Sequence, residues 1–486
     1  VSFSESKITI EGRGTGDSGS GACFGIVSQL TVDENTVNFI NSRMYMSEGF
    51  ERGLAFRDGG GHTLNFIGSK MEGPSAKGLY PYVIGICSWV GGTDNTNPVT
   101  YNIRNSVVDV NYYAIFAINQ AGYTNAVNIT IDNSSVTAWA ALFLRGDLVN
   151  EAYPHNVAIS NTHLYGRSYQ NGPSDGFGTV VLDNCQNLTM TMDSKSSIVS
   201  ENKAPIDSPI TYMCVADVRK NTSGTWTFKS TDGSKALIQS KNDKYAPTLF
   251  FDDAGTNLEV LGVENVEFKT ENEKPCIVSI HKNGTLNNAA SNLDVLLTNM
   301  ILEEEDKVIF PEGEYTLPMT LPLDKSITIQ GTGRDKTIIK GAILINGSAN
   351  NTATDVKIKG LSIDYTPTKV TSGKCTPIIE VTGNADLLID NCIMNNNTQG
   401  YGDRKNPNPA EVLQNAILLG ATAKGTVHVE NTTINLAANA QAGVLIDGEL
   451  TDVSLVNTKI DGQVNGSNQF GVYIHHKKTP VTVDST

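Results

Sequence analysis

Apolar and polar positions repeat along this chain in one eight-residue pattern: apolar, any, apolar, any, Asn or Gly, a small residue that is mostly Ser or Thr, any, apolar. The first full copy runs from Val37 to Met44, with Asn41 and Ser42 at its centre. The full copies have their Asn or Gly at Asn41, Gly68, Asn105, Asn133, Asn161, Gly360, Asn391, Asn431 and Asn457. Partial copies occur at Gly12, Asn184, Gly262, Gly331 and Ser485.

Alternation on both sides of the Asn/Gly position predicts two short strands, each with one buried face. Gly and Asn are the residues that tolerate a positive φ best, so their exchange at the junction predicts a left-handed backbone position there. The Ser or Thr that follows is small enough to let the corner close.

Adjacent copies mostly lie 26 to 31 residues apart, as from Asn105 to Asn133 and from Asn133 to Asn161. The intervals from Gly68 to Asn105 and from Asn391 to Asn431 are longer, which indicates inserted loops. A third apolar run lies between copies, as at 142–144 and 444–446. The chain is therefore predicted to be an all-β solenoid with three strands per coil of about 28 residues.

The coil pattern resembles the right-handed parallel β-helix of the pectate lyase-like superfamily over nearly the whole chain. The best local match is the segment Asn292–Leu297 followed by Val308-Ile-Phe-Pro-Glu-Gly-Glu-Tyr315, which is similar to the capping helix and first strand of such β-helices. The resemblance implies a fold and no particular activity, because the superfamily includes lyases, hydrolases, tailspikes, adhesins and non-catalytic surface proteins.

This start signal lies in mid-chain and predicts two β-helical segments, 1–275 and 276–486. The second segment would begin with its own N-terminal cap at about 290–315, including a helix over Asn292–Asp306. One continuous stack with a long lateral insertion is the alternative. The repeat register at Ile8 and at Val481 leads us to expect a chain that is part of a longer protein.

Composition narrows the possible partners. The formal net charge of −15 argues against nucleic acid and anionic membranes, and no apolar run is long enough to span a bilayer. Seven scattered cysteines form neither a disulfide framework nor a zinc pattern. We expect no cofactor, no metal, and a secreted or cell-surface location.

Two groups of outward residues could carry chemistry. Asp390 and Glu430 should lie on successive coils beside Lys359, as a surface charge ladder or as an acid/base or calcium pair. Asp447 and His475 should also be neighbours and could transfer protons, although solvated side chains are the simpler interpretation.

Tyrosines are concentrated in the first 169 residues and several flank loops. Their rings stack on sugars while the hydroxyl stays hydrated. We therefore predict a glycan-binding site near Tyr112, Tyr165 and Tyr169, although these tyrosines could simply cover loop edges.

The blocks typical of polygalacturonases and the calcium signatures of pectate lyases are absent from the sequence. The expected function is an adhesin-like or glycan-binding stalk module, with a polysaccharide lyase or glycoside hydrolase as the alternative. Whether the chain is an enzyme stays open, and a trimeric tailspike-like fibre has no trimerisation signature to support it.

Overall fold

The computed structural model describes most of the chain. The described residues are 1–10, 23–29, 34–46, 51–57, 60–73, 83–90, 97–119, 126–146, 154–167, 178–201, 215–219, 221–241, 250–252, 257–270, 275–290, 302–317, 320–366, 377–397, 415–437, 440, 442–463, 469–475 and 479–484.

The chain divides into two compact units, residues 1–275 with 284–291 and residues 276–283 with 292–486. Within the described residues the helical structure is one 3-10 turn, Val263–Asn265. A search of the same residues finds no helix with the length and hydropathy needed to cross a membrane.

The first unit consists of three parallel sheets. Sheet A contains β1 (Ser2–Ser4), β4 (Asn35–Ile40), β7 (His62–Ile67), β10 (Val99–Arg104), β13 (Val127–Asp132), β16 (His155–Ser160), β19 (Leu188–Asp193), β22 (Ser223–Lys229) and β25 (Asn257–Leu261). Sheet B contains β2 (Lys7–Ile10), β5 (Arg43–Met46), β8 (Lys70–Glu72), β11 (Val107–Asp109), β14 (Ser135–Ala138), β17 (His163–Gly166), β20 (Ser197–Ser200), β23 (Ala236–Ser240) and β26 (Val266–Lys269). Sheet C contains β3 (Cys23–Gln29), β6 (Glu51–Arg57), β9 (Val83–Val90), β12 (Tyr113–Asn119), β15 (Ala140–Gly146), β18 (Val180–Asp183), β21 (Ala216–Arg219) and β24 (Phe250–Asp252). The unit also contains β28 (Leu286–Ala290).

The second unit repeats this arrangement. Sheet D contains β27 (Ile277–Ile280), β29 (Asp306–Phe310), β32 (Ile327–Gly331), β35 (Thr354–Lys359), β38 (Ala385–Asp390), β41 (Thr426–Glu430), β44 (Asp452–Val456) and β47 (Val481–Asp484). Sheet E contains β30 (Gly313–Thr316), β33 (Thr337–Lys340), β36 (Ser362–Tyr365), β39 (Ile393–Asn396), β42 (Thr433–Leu436) and β45 (Lys459–Asp461). Sheet F contains β31 (Leu321–Leu323), β34 (Ile343–Asn346), β37 (Ile379–Thr382), β40 (Asn415–Leu419), β43 (Ala442–Ile446) and β46 (Phe470–Ile474).

Each coil contributes one strand to each of three sheets, as the repeat predicts, so both units are parallel β-helices. Equivalent repeat residues are direct partners on neighbouring strands, as Ile103 with Ile131 and Ile131 with Ile159. These inward side chains are buried almost completely. Stacking therefore provides the core that a single coil of this size lacks.

The corner residues have the left-handed backbone that the Asn/Gly exchange predicts. The φ angles lie between 44° and 53° at Asn105, Asn133, Asn161, Asn391, Asn431 and Asn457. Gly68 has φ of 60°, the left-handed conformation that glycine adopts without strain.

Among the partial copies, Asn184 and Gly262 also have positive φ. The prediction is wrong at Gly331, which ends β32 without a positive φ. A Cβ at Gly331 would lie 2.4 Å from the carbonyl oxygen of Gly360, so close approach of the next coil explains this glycine. Gly12 and Ser485 lie outside the described residues.

The Ser/Thr position after the corner forms a ladder of hydrogen bonds. The Ser106 hydroxyl accepts from the backbone N–H of Ser69 at 3.1 Å and donates to the Arg104 carbonyl at 2.7 Å. The N–H of Ser106 in turn donates to the hydroxyl of Ser134. Small size alone does not explain this position, because the hydroxyl also provides the acceptor for a buried N–H of the preceding coil.

The predicted capping helix is not present in the described part of the second unit. Residues 304–305 form a turn and Asp306 begins β29, whereas residues 291–301 lie outside the described residues. The carboxylate of Asp306 accepts from the N–H of Glu303 at 2.8 Å and from His281 Nδ1 at 3.0 Å, which holds the turn. This local bond favours a turn over helix, as short acidic side chains often do. Next to it, β27 pairs antiparallel with β29.

Candidate functional site

Sheet F has apolar side chains on both faces. Ile417, Val444 and Val472 are in register and form one column. On the opposite face Leu418, Leu445 and Tyr473 pack together in a separate cluster. Alternation along β43 and β46 then puts the residues that follow these strands on the face of Tyr473.

Asp447 and His475 are those residues. The N–H of Asp447 donates to the Leu419 carbonyl and that of His475 donates to the Ile446 carbonyl, both at 2.8 Å, so the ladder continues past the strand ends. His475 Nδ1 lies 2.5 Å from Asp447 Oδ1. The structure therefore brings together the two residues that the sequence predicts as neighbours, and we call this pair the dyad.

Burial differs sharply within the dyad. The Asp447 side chain is 10% exposed and that of His475 is 42% exposed. A carboxylate oxygen at this position accepts a hydrogen bond, which favours the neutral tautomer of His475 that has its proton on Nδ1 and its lone pair on Nε2. A buried carboxylate that orients a solvent-facing imidazole is the arrangement of a general base.

The turn after Asp447 is fixed by a residue of the following coil. The Thr479 hydroxyl donates to the Gly448 carbonyl at 2.9 Å and accepts from the Leu450 N–H at 3.1 Å. Thr479 is buried. These bonds limit the freedom of the segment that holds the Asp447 carboxylate, which favours one orientation of the dyad.

Aromatic rings lie beside the dyad. Tyr473 precedes His475 by two residues on the same face, and its ring meets that of Phe470 edge-to-face at 5.1 Å between centroids. Phe470 is 37% exposed. A partly exposed aromatic pair on the strand that leads to His475 gives a surface on which a sugar ring could stack.

A second polar group surrounds Tyr165 on sheet B. The phenol donates to the Glu201 carboxylate, and Lys241 Nζ lies 5.6 Å from the ring centroid. Burial raises the pKa of the Tyr165 phenol above its usual range, and the hydrogen bond to Glu201 raises it further. Nearby, Arg167 Nη2 lies 2.6 Å from Asp109 Oδ1. We call Tyr165, Glu201 and Lys241 the Tyr165 cluster.

Tyr112 and Tyr165, the predicted tyrosines that the structure describes, are associated with different sheets of the first unit. Tyr112 lies just before β12, stacks on Tyr113 at 3.7 Å between centroids and packs against the apolar cluster of sheet C. Tyr165 lies on β17 in sheet B. Tyr169 lies outside the described residues, so the predicted glycan site remains a prediction around Tyr165.

The charge ladder of the second unit has the predicted register. Lys359 pairs with Asp390, and Asp390 with Glu430. Asp390 Oδ1 accepts from Asn431 Nδ2 at 3.0 Å, which ties this carboxylate to a corner. No cluster of three or more His, Cys, Asp or Glu that could hold a metal occurs among the residues that the structure describes.

In the first unit Arg57 and Arg145 occupy one column of sheet C. Arg145 Nε lies 3.7 Å from Asp183 Oδ2. On the next strand Arg219 Nη2 lies 2.6 Å from Asp217 Oδ2, whose carboxylate is fully buried. Each of these two carboxylates is balanced by an arginine of the same sheet, so no ligand is needed to explain it.

Sequence reasoning missed the partners of Tyr165. Glu201 lies 36 residues and Lys241 76 residues beyond Tyr165, and each follows a strand of sheet B. The available signal was register, since the N–H of Glu201 donates to the Gly166 carbonyl and that of Lys241 to the Ser200 carbonyl. The weak repeats between residues 193 and 250 hid this register in the sequence.

No family model matches the chain, and no curated protein matches it. Among solved structures, the chain aligns with the PL6 family alginate lyase AlyGC at 10% identity and a TM-score of 0.19, covering 99% of this chain and 96% of that chain. A point mutant of the same enzyme aligns at 11% identity and a TM-score of 0.19, with 99% and 97% covered. A likeness at this TM-score assigns no function to the chain, so function rests on its own residues.

Proposed function

We propose that this protein acts on polysaccharides and that its second unit carries the catalytic site, with His475 as general base and Asp447 as its positioning residue. The observation that carries the proposal is the 2.5 Å contact between His475 Nδ1 and Asp447 Oδ1. It leaves Nε2 of an exposed imidazole free to accept a proton.

The reaction that this base fits best is β-elimination on a uronic-acid polymer. Nε2 of His475 removes the proton on the carbon next to the sugar carboxylate, and the electron pair forms a carbon–carbon double bond as the glycosidic oxygen leaves with its electrons. The leaving oxygen takes a proton from water, and the imidazolium returns its proton to solvent. Asp447 stabilises the imidazolium between these steps.

Hydrolysis fits the dyad less well. Retaining and inverting glycosidases generally use two carboxyl groups, one on each side of the bond that breaks. The carboxylate of Asp447 is bound to His475 instead.

In the proposed elimination, the aromatic pair of Tyr473 and Phe470 would support a sugar ring beside Nε2 of His475.

The test is a degradation assay on the complete chain with a panel of uronic-acid polymers, including alginate and polygalacturonate. Unsaturated products are measured by ultraviolet absorbance, and new reducing ends are measured in parallel. His475→Gln should lower the rate by about 100-fold or more, as expected for loss of a general base. Asp447→Asn should lower it by about 10-fold or more, because the carboxylate no longer holds the tautomer.

His428→Gln is the matched control. His428 Nδ1 also lies 2.5 Å from a hydrogen-bond partner, Ser454 Oγ, but on a different sheet of the same unit. This variant should retain the full rate. No turnover by the unaltered chain on any polymer, or equal turnover by His475→Gln, would reject the proposal, and reducing ends without unsaturation would replace elimination by hydrolysis.

A second candidate, glycan binding without cleavage, is favoured by the Tyr165 cluster. A phenol, a carboxylate and an ammonium group lie together on the outward face of sheet B, where they could bind sugar hydroxyl groups. Binding by the unaltered chain without any product would support this function over the first.

A further inference from the structure

The outward face of sheet A has a regular composition. Strands β4, β7 and β10 each present Thr-x-Asn on it, from Thr36 and Asn38, Thr63 and Asn65, and Thr100 and Asn102. Strands β19 and β22 each present Thr-x-Thr. These side chains alternate with fully buried core residues, so they point away from the core.

The outward side chains form three straight columns, and two of them lack charged residues. The third column, next to the corner, holds Ile40, Ile67, Arg104, Asp132, Ser160, Asp193 and Lys229. In it Arg104 pairs with Asp132 and Asp193 with Lys229, so opposite charges are neighbours.

In the two columns without charged residues, Thr36 pairs with Thr63 and Thr63 with Thr100, while Asn38 pairs with Asn65 and Asn65 with Asn102. The same register continues without a shift to β22. Neighbours lie about 4.8 Å apart along a column and about 6.6 Å apart between columns. We call these two columns, from β4 to β22, the neutral face.

Charge is absent from the neutral face. None of its positions holds Asp, Glu, Lys or Arg, although the chain is 18% charged. The corresponding columns of sheet D contain Asp355, Lys357, Asp386 and Asp452. Strand formation alone does not require this difference, because the same fold accepts charges there in the second unit.

Amide side chains make part of the neutral face rigid. Asn65 Nδ2 donates to Asn38 Oδ1 at 2.8 Å, and Asn102 Nδ2 donates to Asn65 Oδ1 at 2.9 Å. Asn156 Nδ2 donates to Asn128 Oδ1 at 2.8 Å. These residues are intermediate or exposed, so their remaining donor and acceptor capacity is available at a fixed pitch.

We infer that the neutral face is a binding surface for an uncharged, hydroxyl-rich polysaccharide. An acidic polymer would need cations to balance its charge, and an apolar partner would need an apolar patch. Alternating hydroxyl and amide groups match the donors and acceptors of sugar hydroxyls. Each contact is weak, but many contacts along one polymer add through multivalency. The inference is independent of His475 and of cleavage.

The test measures retention of the complete chain on insoluble cellulose, chitin and starch, at low salt and at about 1 M salt, where charge interactions are screened. The unaltered chain should be retained on at least one polymer at both salt concentrations. The double variant Thr63→Lys/Thr100→Lys should lower its affinity by about 10-fold or more. Thr328→Lys, in the column of sheet D that corresponds to Asn65 and Asn102, should leave retention unchanged.

A second variant separates binding from folding. Thr63→Val/Thr100→Val keeps the shape and strand preference but removes both hydroxyls, so it should weaken retention with an unchanged unfolding midpoint. The inference is overturned if no neutral polymer retains the chain, if salt abolishes retention, or if both double variants bind as well as the original. If the chain binds no polymer but inhibits ice growth or self-associates, and the double variants abolish that activity, the neutral face has another occupant. This result would also overturn the inference.

Discussion

Asn133 donates a hydrogen bond from its side-chain Nδ2 to Oδ1 of Asn105, 2.7 Å away on the preceding coil. Asn161 donates to Asn133 over the same distance, and Asn457 donates to Asn431 at 2.9 Å in the second unit. Asparagine therefore has two roles at the corner: it tolerates positive φ, and its side-chain amide links successive coils by hydrogen bonds.

Replacement of Asn133 by Val should destabilise the first unit by about 2–4 kcal/mol. A β-branched residue is strained at φ of 46°, at a cost of about 1–3 kcal/mol, and the ladder loses its hydrogen bonds as well. Asn133→Gly is the control, since it keeps the backbone and loses only the ladder. Urea unfolding measures the free energy of unfolding of the two variants. Equal values for Asn133→Val and Asn133→Gly would contradict a strained backbone in the Val variant.

The hydroxyl ladder gives a second prediction. Ser106→Ala removes the acceptor of the buried Ser69 N–H, which should cost about 1–3 kcal/mol. Ser106→Thr should be tolerated, because Thr162 occupies the equivalent position and accepts from the Ser134 N–H. Hydrogen exchange at Ser69 should accelerate in the Ala variant and not in the Thr variant. Unchanged exchange in Ser106→Ala would show that another acceptor replaces the hydroxyl.

The coil could be predicted from the sequence because every full repeat carries the same local pattern of apolar, polar and corner residues. Positive φ at Asn133 and burial of Ile131 both follow from residues within one copy. The turn at Glu304–Glu305 was not predictable in this way, since it depends on Asp306 and on contacts with β27.

The candidate sites differ in the same way: some follow clear repeats and others do not. Asp447 and His475 could be paired from sequence because both follow clear strands one coil apart. Glu201 and Lys241 could not be assigned to Tyr165, because their strands lack the corner pattern. The neutral face became visible only when the register aligned its columns.

Cys392 occupies a corner position that holds Ser or Thr in other coils, and burial raises the pKa of its thiol to about 11. An unfolded thiol titrates near about 8.5, so the folded chain keeps this proton over a pH range in which the unfolded chain loses it. The free energy of unfolding is therefore unaffected by ionisation of Cys392 below the pKa of the unfolded thiol, and it falls as the pH rises from there towards about 11.

Alkylation should therefore spare Cys392 in the folded chain at pH 8 and modify it after unfolding. Peptide mass spectrometry measures this residue separately from the other cysteines. Cys392→Ser keeps the corner hydrogen bonds and should remove its share of the stability loss at high pH. Rapid alkylation of Cys392 in the folded chain would contradict the burial.

The Tyr165 cluster gives a prediction that connects ionisation with binding. Burial raises the pKa of Tyr165 most, and the hydrogen bond that the phenol donates to Glu201, together with the negative charge of Glu201, raises it further. Glu201→Gln should lower this pKa towards the usual tyrosine range, which ultraviolet titration against a Tyr165→Phe reference measures. An unchanged titration would mean that burial alone sets the ionisation of Tyr165.

Changing both Tyr165 and Tyr169 to Ala should lower any measured glycan affinity while thermal unfolding stays nearly unchanged. Tyr165 is partly exposed and interacts with Glu201 and Lys241, so its loss removes a surface ring and leaves the buried core intact. Tyr112→Ala is the comparison, because Tyr112 packs on the apolar cluster of sheet C and its loss should lower the unfolding temperature instead. Unaltered affinity in the Tyr165/Tyr169 variant would return these residues to structural roles.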